Sequence, residues 1–183
     1  MTRMKYVALL RGVNVGGGRR VPKAEFQTVL ERLGFSEVVI YINSGNAVFS
    51  SDQTPDVAEV AAALEKHFGF VIPTLVLPGD KIKRIAAAIP SEWTNDPPRP
   101  DKSGQKSDVL YLFHEADTPE ILAKLGYRPD IESMLYVEGA VLTNITRANQ
   151  AKGSLQKLIG SKLYAQVTVR NIATAKKLAE LVG

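Results

Sequence analysis

The stretch EVVIYINSGNAVFS, residues 37–50, is the most informative part of the sequence about the fold. It contains two runs rich in β-branched and aromatic residues, 37–42 and 47–50, which are joined by the polar turn NSGN at 43–46. Two such runs around a short turn of Asn and Gly are typical of a β-hairpin. We therefore predict a pair of adjacent antiparallel strands here.

The sequence predicts further strands and helices on both sides of this hairpin. Upstream lie a strand at 5–10 and a helix over 22–33, which Pro22 is placed to start. Downstream lie a helix over 57–68, a strand at 70–77 and a further helix marked by apolar residues at 82–89. The predicted order is therefore β-α-β-β-α-β with a trailing helix.

The second half of the chain repeats this order. Its predicted elements are strand 108–113, helix 118–127, hairpin strands 133–137 and 140–144, a helix at 155–159, strand 165–169 and helix 172–182. Short segments also match between the halves: LERLGF with LAKLGY at an offset of 92, NAVF with GAVL at 93, and LEKHFG with LQKLIG at 91. Near-constant offsets favour an internal duplication, and two unrelated α+β segments are the alternative.

These patterns predict an α+β protein of two tandem ferredoxin-like (βαββαβ) units, each with a trailing helix. Right-handed crossovers give each unit an antiparallel sheet with the strand order 4-1-3-2. We place the first unit at residues 1–90 and the second at 108–183. The segment 91–107 between them is rich in proline and poor in aliphatic residues, which is typical of a linker.

Composition limits the chemistry that this chain can perform. The 183 residues include no cysteine, so disulfides, thiolate nucleophiles and cysteine metal sites are excluded. No stretch reaches the roughly 18 apolar residues that span a bilayer, and the apolar run near the N-terminus is too short for a secretory signal. We expect a soluble cytoplasmic protein without a membrane partner.

The net charge of +4 is unevenly distributed along the chain. Two stretches carry basic residues and no acid: one before Glu25 with six, and one between Glu138 and Glu180 with seven. Such asymmetry indicates a region that attracts anions. Ordinary solvated lysines on helix surfaces are the alternative.

The loop RGVNVGGGRR at 11–20 joins the first strand to the first helix. In the predicted topology it shares one end of its unit with the NSGN turn and with the loop before the fourth strand. A helix start with free backbone N–H groups favours an anion at that end. The predicted ligand-binding residues there are Arg11, Gly12, Asn14, Gly16, Gly17, Arg19, Asn43, Ser44 and Asn46.

This glycine loop matches neither of the common nucleotide motifs. Gly12 and Gly17 have the spacing of a Walker loop, but the lysine and the hydroxyl residue that would follow are missing. No G-x-G-x-x-G dinucleotide fingerprint is present either. A glycine loop with a purely structural role therefore stays open beside an anion site.

The second half contributes a further polar cluster, where the loop TRANQAKG at 146–153 and the strand end VRN at 169–171 come together. Its predicted ligand-binding residues are Lys152, Arg170 and Asn171, with Arg147 and Asn149 beside them. Whether this cluster meets the first depends on how the halves pack, which the sequence leaves open.

No constellation of catalytic or metal-binding residues is visible. His67 and His114 lie in different halves without an acidic cluster, and the carboxylates are scattered. Catalytic residues, and enzyme activity itself, therefore stay undetermined. We expect no metal and no cofactor, since two imidazoles alone make a poor zinc site.

Nucleic acid is a weakly supported partner. Ferredoxin-like sheets that bind RNA stack bases on exposed aromatic residues of their central strands. The first half offers only Tyr6 and Phe49 there, and the second only Tyr111 and Phe113. Binding to the phosphate backbone through the basic stretches remains an alternative.

Three segments resemble the signature segments of a bacterial family, domain of unknown function 1697. They are YVALLRGVNVGG (6–17), LGF…VVIYINSGNAVFSS (33–51) and TVRNIATAKKLAEL (168–181). The resemblance implies a cytosolic bacterial protein with a duplicated α+β fold, and no established activity, cofactor or catalytic residue. This chain departs from the family pattern at Ile172, where Trp is typical, and at 151–153, where a hydroxyl–Lys–hydroxyl stretch is typical.

Our first hypothesis from the sequence is that the chain is a binding protein for a small anionic ligand bearing phosphate or carboxylate. Binding of a nucleic-acid backbone and an enzyme of unrecognised class are the alternatives. A third hypothesis is that Asn14, Asn46 and Asn171 only join the two halves. The oligomeric state is not predicted.

Overall fold

The computed structural model describes residues 3–183 and contains two four-stranded antiparallel sheets and six helices. The chain divides into two compact units. Unit 1 comprises the chain up to Lys83 together with Leu178–Gly183, and unit 2 comprises Arg84–Lys177.

Unit 1 contains the first sheet and two long helices. Its elements are β1 (Met4–Leu10), α1 (Lys23–Arg32), β2 (Ser36–Tyr41), β3 (Asn46–Ser51), α2 (Val57–Phe68), β4 (Thr74–Pro78) and the start of α3 (Gly79–Ala87). The strand order is β2-β3-β1-β4, which places β1 and β3 at the centre, as the predicted order 4-1-3-2 requires.

Local signals in the sequence set the bounds of both helices. Asp56 caps α2, since its Oδ1 accepts a hydrogen bond from the Ala58 N–H at 2.9 Å. Gly69 ends the same helix in a left-handed conformation, with φ of 79°. Pro22 occupies the N-cap position of α1, and its side chain caps no N–H group.

Aromatic residues fill the core of unit 1 on the side of the sheet that faces α1 and α2. Tyr6 of β1 pairs with Phe49 of β3, and their ring centroids lie 6.0 Å apart. Phe35 stacks on Phe49 at 4.4 Å. On the opposite face of the sheet, Val7 and Leu9 are also fully buried, so neither face of β1 is open to solvent.

Unit 2 contains the second sheet and shorter helices. Its elements are β5 (Gln105–Leu112), α4 (Ile121–Lys124), β6 (Glu132–Val137), β7 (Ala140–Thr146), α5 (Ser154–Leu158), β8 (Val167–Asn171) and α6 (Ile172–Val182), whose last residues belong to unit 1. The order β6-β7-β5-β8 is that of the first sheet.

The helices between the strands of unit 2 are shorter than the sequence predicts. The helix predicted at 118–127 is a single turn, α4, because Pro119 precedes it and Gly126 follows it with φ of 69°. The helix predicted at 155–159 ends at Leu158. Ile159 has left the helical conformation and is 61% exposed.

The proline-rich segment before β5 belongs to unit 2 and is held to that strand. Trp93 is buried, and the backbone N–H groups of Asp96 and Gln105 exchange hydrogen bonds with Gln105 O and Asp96 Oδ2, both at 2.8 Å. The Ser107 hydroxyl donates to the Thr94 carbonyl at 2.6 Å. Arg147 also donates to the Asp96 carbonyl, with its Nε at 3.1 Å.

Candidate functional site

Three segments of unit 1 meet at one end of its sheet, as the topology predicts. The Leu10 N–H donates to the Gly45 carbonyl at 2.8 Å, which joins the end of β1 to the turn between β2 and β3. The Arg11 N–H donates to the Pro73 carbonyl at 2.9 Å, which joins it to the segment before β4. The structure therefore brings together the predicted residues of the loop 11–20 and of the turn 43–46.

Asn14 joins the loop 11–20 to the turn 43–46 by hydrogen bonds of its side-chain amide. Its Nδ2 donates to the carbonyls of Val21 at 3.0 Å and Asn43 at 2.6 Å, and its Oδ1 accepts from the Val21 N–H at 2.8 Å. The residue adopts a left-handed conformation with φ of 57°, which Asn tolerates better than most residues. Both protons of the amide are used, so Asn14 shapes the loop.

Two further predicted side chains are held by local partners. Asn46 is fully buried, and its Nδ2 donates to the Tyr41 carbonyl at 3.1 Å and to Ser44 Oγ at 2.9 Å. Arg19 donates to the Val71 carbonyl and lies over the Phe70 ring, 5.2 Å from its centroid. These contacts stabilise the turn and the loop.

The loop glycines are needed for backbone conformation. Gly12, Gly16 and Gly17 have φ of 68°, 66° and 79°, and a Cβ on any of them would meet no atom within 4 Å. Gly45 in the turn is different, since its Cβ would lie 2.7 Å from Leu10 Cβ and 2.8 Å from Val13 Cγ2. The turn therefore packs directly on the first strand and the loop.

A cavity of about 350 Å³ opens where the loop reaches α1. Its lining residues are Asn14, Gly17, Gly18, Arg20, Val21, Pro22 and Asn43. Three of the predicted ligand-binding residues are among them: Asn14, Gly17 and Asn43. Arg20 supplies the cation of the lining. It is exposed and has no acidic partner within 4.0 Å among residues 3–183.

The residues predicted in the second half lie in unit 2 and have structural contacts there. Arg170 is buried and donates to Thr168 Oγ1 at 2.8 Å and to the Val169 carbonyl at 2.9 Å. Its burial lowers the pKa of the guanidinium to about 10. Asn171 Oδ1 accepts from the Thr174 N–H at 2.8 Å and so caps α6, while Lys152 is exposed.

A second cavity, of about 230 Å³, lies in unit 2 between the sheet and α5. Lys106, Asp108 and Glu132 are its charged lining residues. None of the predicted site residues lines it. The sequence shows one trace of it: the acidic residue Asp108 precedes the apolar run 109–113, at the place where the matching run of the first half begins with Tyr6. This single residue does not identify a cavity.

The described residues give little support for a metal site, a membrane span or a base-stacking surface. His67 Nε2 lies 2.8 Å from Glu25 Oε2, and both residues are exposed. Within residues 3–183, no three His, Asp or Glu side chains are grouped as a metal site would need, and no helix is long and apolar enough to cross a membrane. Tyr6, Phe49 and Tyr111 are buried and offer no stacking surface for bases.

The chain is similar to a family of proteins of unknown function and to a solved bacterial structure. The family model described as "Protein of unknown function (DUF1697)" matches residues 3–142. A search of curated proteins gives no match. Among solved structures, the conserved bacterial protein SP0830 from Streptococcus pneumoniae has 24% identity and a TM-score of 0.80, with 100% of each chain covered.

At that identity the likeness to SP0830 concerns the fold alone. The family match covers more than three quarters of the sequence, including the loop 11–20 and the hairpin 37–50. The chain therefore belongs to the DUF1697 family of proteins of unknown function.

Proposed function

We propose that unit 1 binds a small anionic ligand, bearing a phosphate or a carboxylate, in the cavity at the start of α1. One observation carries this proposal: the exposed Arg20 and the start of a helix without a side-chain cap border the same cavity of about 350 Å³. Backbone N–H groups at a helix start and a guanidinium both favour an anion.

The predicted residues take two different roles in this proposal. Arg20 and the backbone N–H groups around Gly17 and Gly18 contact the ligand. Asn14 fixes the loop by its bonds to Val21 and Asn43, and so keeps the cavity open before a ligand arrives. The remaining predicted residues of unit 1 shape the loop and the neighbouring turn: Arg11, Gly12, Gly16, Arg19, Ser44 and Asn46.

We further propose that the fold arose by duplication of a ferredoxin-like βαββαβ unit. In this proposal residues 1–90 and 108–183 are the two copies, and 91–107 is an inserted connection that later packed on the second copy. The identical strand orders and the near-constant sequence offsets support it.

Thermal shifts against inorganic phosphate, nucleotides and small carboxylates test the anion site. We expect at least one of these anions to raise the Tm, and Arg20→Ala to remove the shift. Arg32→Ala is the matched control, because Arg32 is an exposed arginine in the last turn of α1 that does not line this cavity. Equal responses of the two variants, or no shift with any anion, would overturn the proposal.

Salt dependence separates a small anion from a nucleic-acid backbone. A protein that contacts several phosphates loses affinity with a slope of about −0.9 per phosphate in a plot of log K against log salt. We expect single-stranded and duplex DNA to show no such tight, steeply salt-dependent binding, because the cavity holds one cation. A slope corresponding to several phosphates would favour the nucleic-acid alternative.

A further inference from the structure

The cavity of unit 2 occupies a place that is filled by aromatic rings in unit 1. In each unit the last residue of the central strand donates its N–H to the hairpin glycine: Leu10 to Gly45, and Leu112 to Gly139. Tyr6 lies four residues before Leu10, and Asp108 lies four residues before Leu112. Tyr6 and Asp108 therefore occupy equivalent positions in the two sheets. Their cross-strand partners are Phe49 and Thr143.

The difference in side chains explains why a cavity exists here. In unit 1 the Tyr6–Phe49 pair lies beneath α1 and α2, which have ten and twelve residues. In unit 2 smaller polar side chains stand at those positions, and α5 has only five residues. A volume of about 230 Å³ is left, below the roughly 300–1,000 Å³ of pockets for drug-sized ligands. It suits a small molecule.

Asp108 presents an unused carboxylate oxygen to this cavity. Its side chain is 7% exposed, and its Oδ2 is paired with Lys106 Nζ. Its Oδ1 has no hydrogen-bond partner among residues 3–183. This oxygen is not among the fully buried side-chain atoms without a partner, so it is accessible to a donor from a ligand or from water in the cavity.

Glu132 adds a second buried carboxylate that no cation neutralises. It is 9% exposed and accepts hydrogen bonds from the N–H groups of Arg128 and Ser154, both at 3.0 Å, and from the Ser154 hydroxyl. Within the described residues, no Lys, Arg or His nitrogen lies within 4.0 Å of it. A carboxylate has about four acceptor positions, so one remains for a ligand.

The charge of the cavity follows from these residues. Lys106 is its only cation in the described chain, while Asp108 and Glu132 are both anions, so the lining has a net charge of −1. Apolar side chains, among them Leu158, Ile159 and Val169, complete the wall. A complementary ligand carries a positive charge at one end and a short apolar portion at the other.

We propose that this cavity binds a small primary amine, with its ammonium group at the carboxylate of Asp108 and its alkyl portion against α5 and β8. One of the three donors of the ammonium meets Oδ1 of Asp108, and the second carboxylate of the lining, Glu132, adds to the negative charge that favours a cation. The site is distinct in location and in charge from the proposed anion site, and it does not depend on that proposal.

Matched ligands test the charge preference directly. Butylammonium, butan-1-ol and butyrate share an alkyl chain and differ in the head group. We expect only butylammonium to raise the Tm and to shift the NMR signals of residues lining the cavity. An equal response to butan-1-ol would show an apolar cavity without charge selection, and a preference for butyrate would reverse the proposed sign. Either result would overturn the proposal.

Variants with opposite expected signs test the two carboxylates. Asp108→Asn keeps the shape of the side chain and is expected to weaken butylammonium binding at least tenfold. Lys106→Gln removes the cation that competes for Asp108 and is expected to strengthen binding severalfold. Lys157→Gln is the control, since Lys157 is an exposed lysine of α5 outside the lining.

These variants keep the test decisive if one of them misfolds. Glu132→Gln is informative only when circular dichroism shows a native fold, because Glu132 also holds Ser154. Lys106 is partly exposed, so its variant should fold. If Lys106→Gln and Lys157→Gln change butylammonium binding equally, or if Asp108→Asn leaves it unchanged, the proposal fails. Arg20→Ala, which tests the anion site, should leave amine binding intact.

Discussion

The two units share one strand order and differ in what lies on their sheets. In unit 1, long helices cover a core centred on Phe49. In unit 2, helices of four and five residues cover a sheet on which Asp108 and Thr143 stand at the matching positions. The comparison teaches that one topology can be closed by aromatic packing or left with a polar cavity, depending on a few strand positions.

The test with the largest expected effect on stability removes the ring at the centre of the aromatic core. Phe49→Ala is expected to lower the free energy of unfolding by about 3–5 kcal/mol, because it deletes a fully buried ring that stacks on Phe35. Thr143→Ala at the matching position of unit 2 should cost only about 1 kcal/mol, since it removes one long hydrogen bond, 3.4 Å to the Asp108 carbonyl. Urea unfolding measures both.

Equal losses in the two variants would contradict the comparison. They would mean that the cavity region of unit 2 is packed as tightly as the aromatic core. The presence of Asp108 and Thr143 at the positions of Tyr6 and Phe49 would then have no consequence for packing. That outcome would also remove the structural argument for a ligand in unit 2.

A second test concerns the end of unit 1 where the loop and the turn meet. Gly45→Ala combines a left-handed φ of 77° with contacts of 2.7 Å and 2.8 Å, so overpacking should add about 1–3 kcal/mol to the strain. Gly17→Ala has the same backbone strain, about 1–2 kcal/mol, and open space around its Cβ. The difference between the two unfolding free energies isolates the contact of the turn with β1.

If Gly45→Ala and Gly17→Ala are equally stable, the turn is not packed on Leu10 and Val13 as described. The loop end would then be more adaptable than its hydrogen bonds indicate, and the cavity beside Arg20 would not be fixed before ligand binding.

A third test uses the cap of α2, since α4 and α5 of unit 2 have no side-chain cap. Asp56→Ala should cost about 1 kcal/mol, because the α2 N–H groups lose their side-chain acceptor. Asp130→Ala is the control in unit 2. Asp130 is exposed, and its contact with Arg128 is a surface ion pair worth about 0–1 kcal/mol. Chemical denaturation at low salt should therefore show the larger loss for Asp56.

The sequence predicts unit 1 more accurately than unit 2, and the reason lies in particular residues. Asp56, Gly69 and the NSGN turn are local signals, and they specify element bounds to within about one residue. In unit 2 the apolar spacing of LAKLGY fits a full helix, but Pro119 and Gly126 leave room for only one turn. Periodicity gives the presence of a helix and not its length.

The candidate sites were predictable only as far as topology fixes them. The strand order alone brings the loop 11–20 to the turn 43–46, so the convergence of these segments could be predicted. The bonds of Asn14 to Val21 and Asn43 depend on a left-handed backbone that no pattern specifies. The cavity of unit 2 exists because particular strand positions face α5. A single Asp in an apolar run does not show which positions these are.

The smallest expected effect is the loss of stability in acid that comes from one carboxylate in each unit. The hydrogen bond from Ser50, followed by the contact with Lys5, lowers the pKa of Glu37 in unit 1. The hydrogen bond from Thr94, followed by the N–H of Gln105, lowers the pKa of Asp96 in unit 2. A folded-state pKa below the unfolded value means that each group stabilises the protein above the unfolded pKa, and that this contribution fades as the pH falls through the folded value.

Glu37→Gln and Asp96→Asn should therefore lower the Tm slightly at pH 7, and the difference from the parent should shrink as the pH falls through the folded pKa. Thermal melts from neutral to acid pH measure this difference, and solvent screening keeps it small because Glu37 is exposed and Asp96 is partly exposed. We expect the larger change for Asp96→Asn, because Asp96 accepts from Thr94 and from Gln105 and so holds the segment before β5 to that strand. Glu37 only bridges two neighbouring strands. A larger effect of Glu37→Gln would show that this connecting segment contributes little to the stability of unit 2.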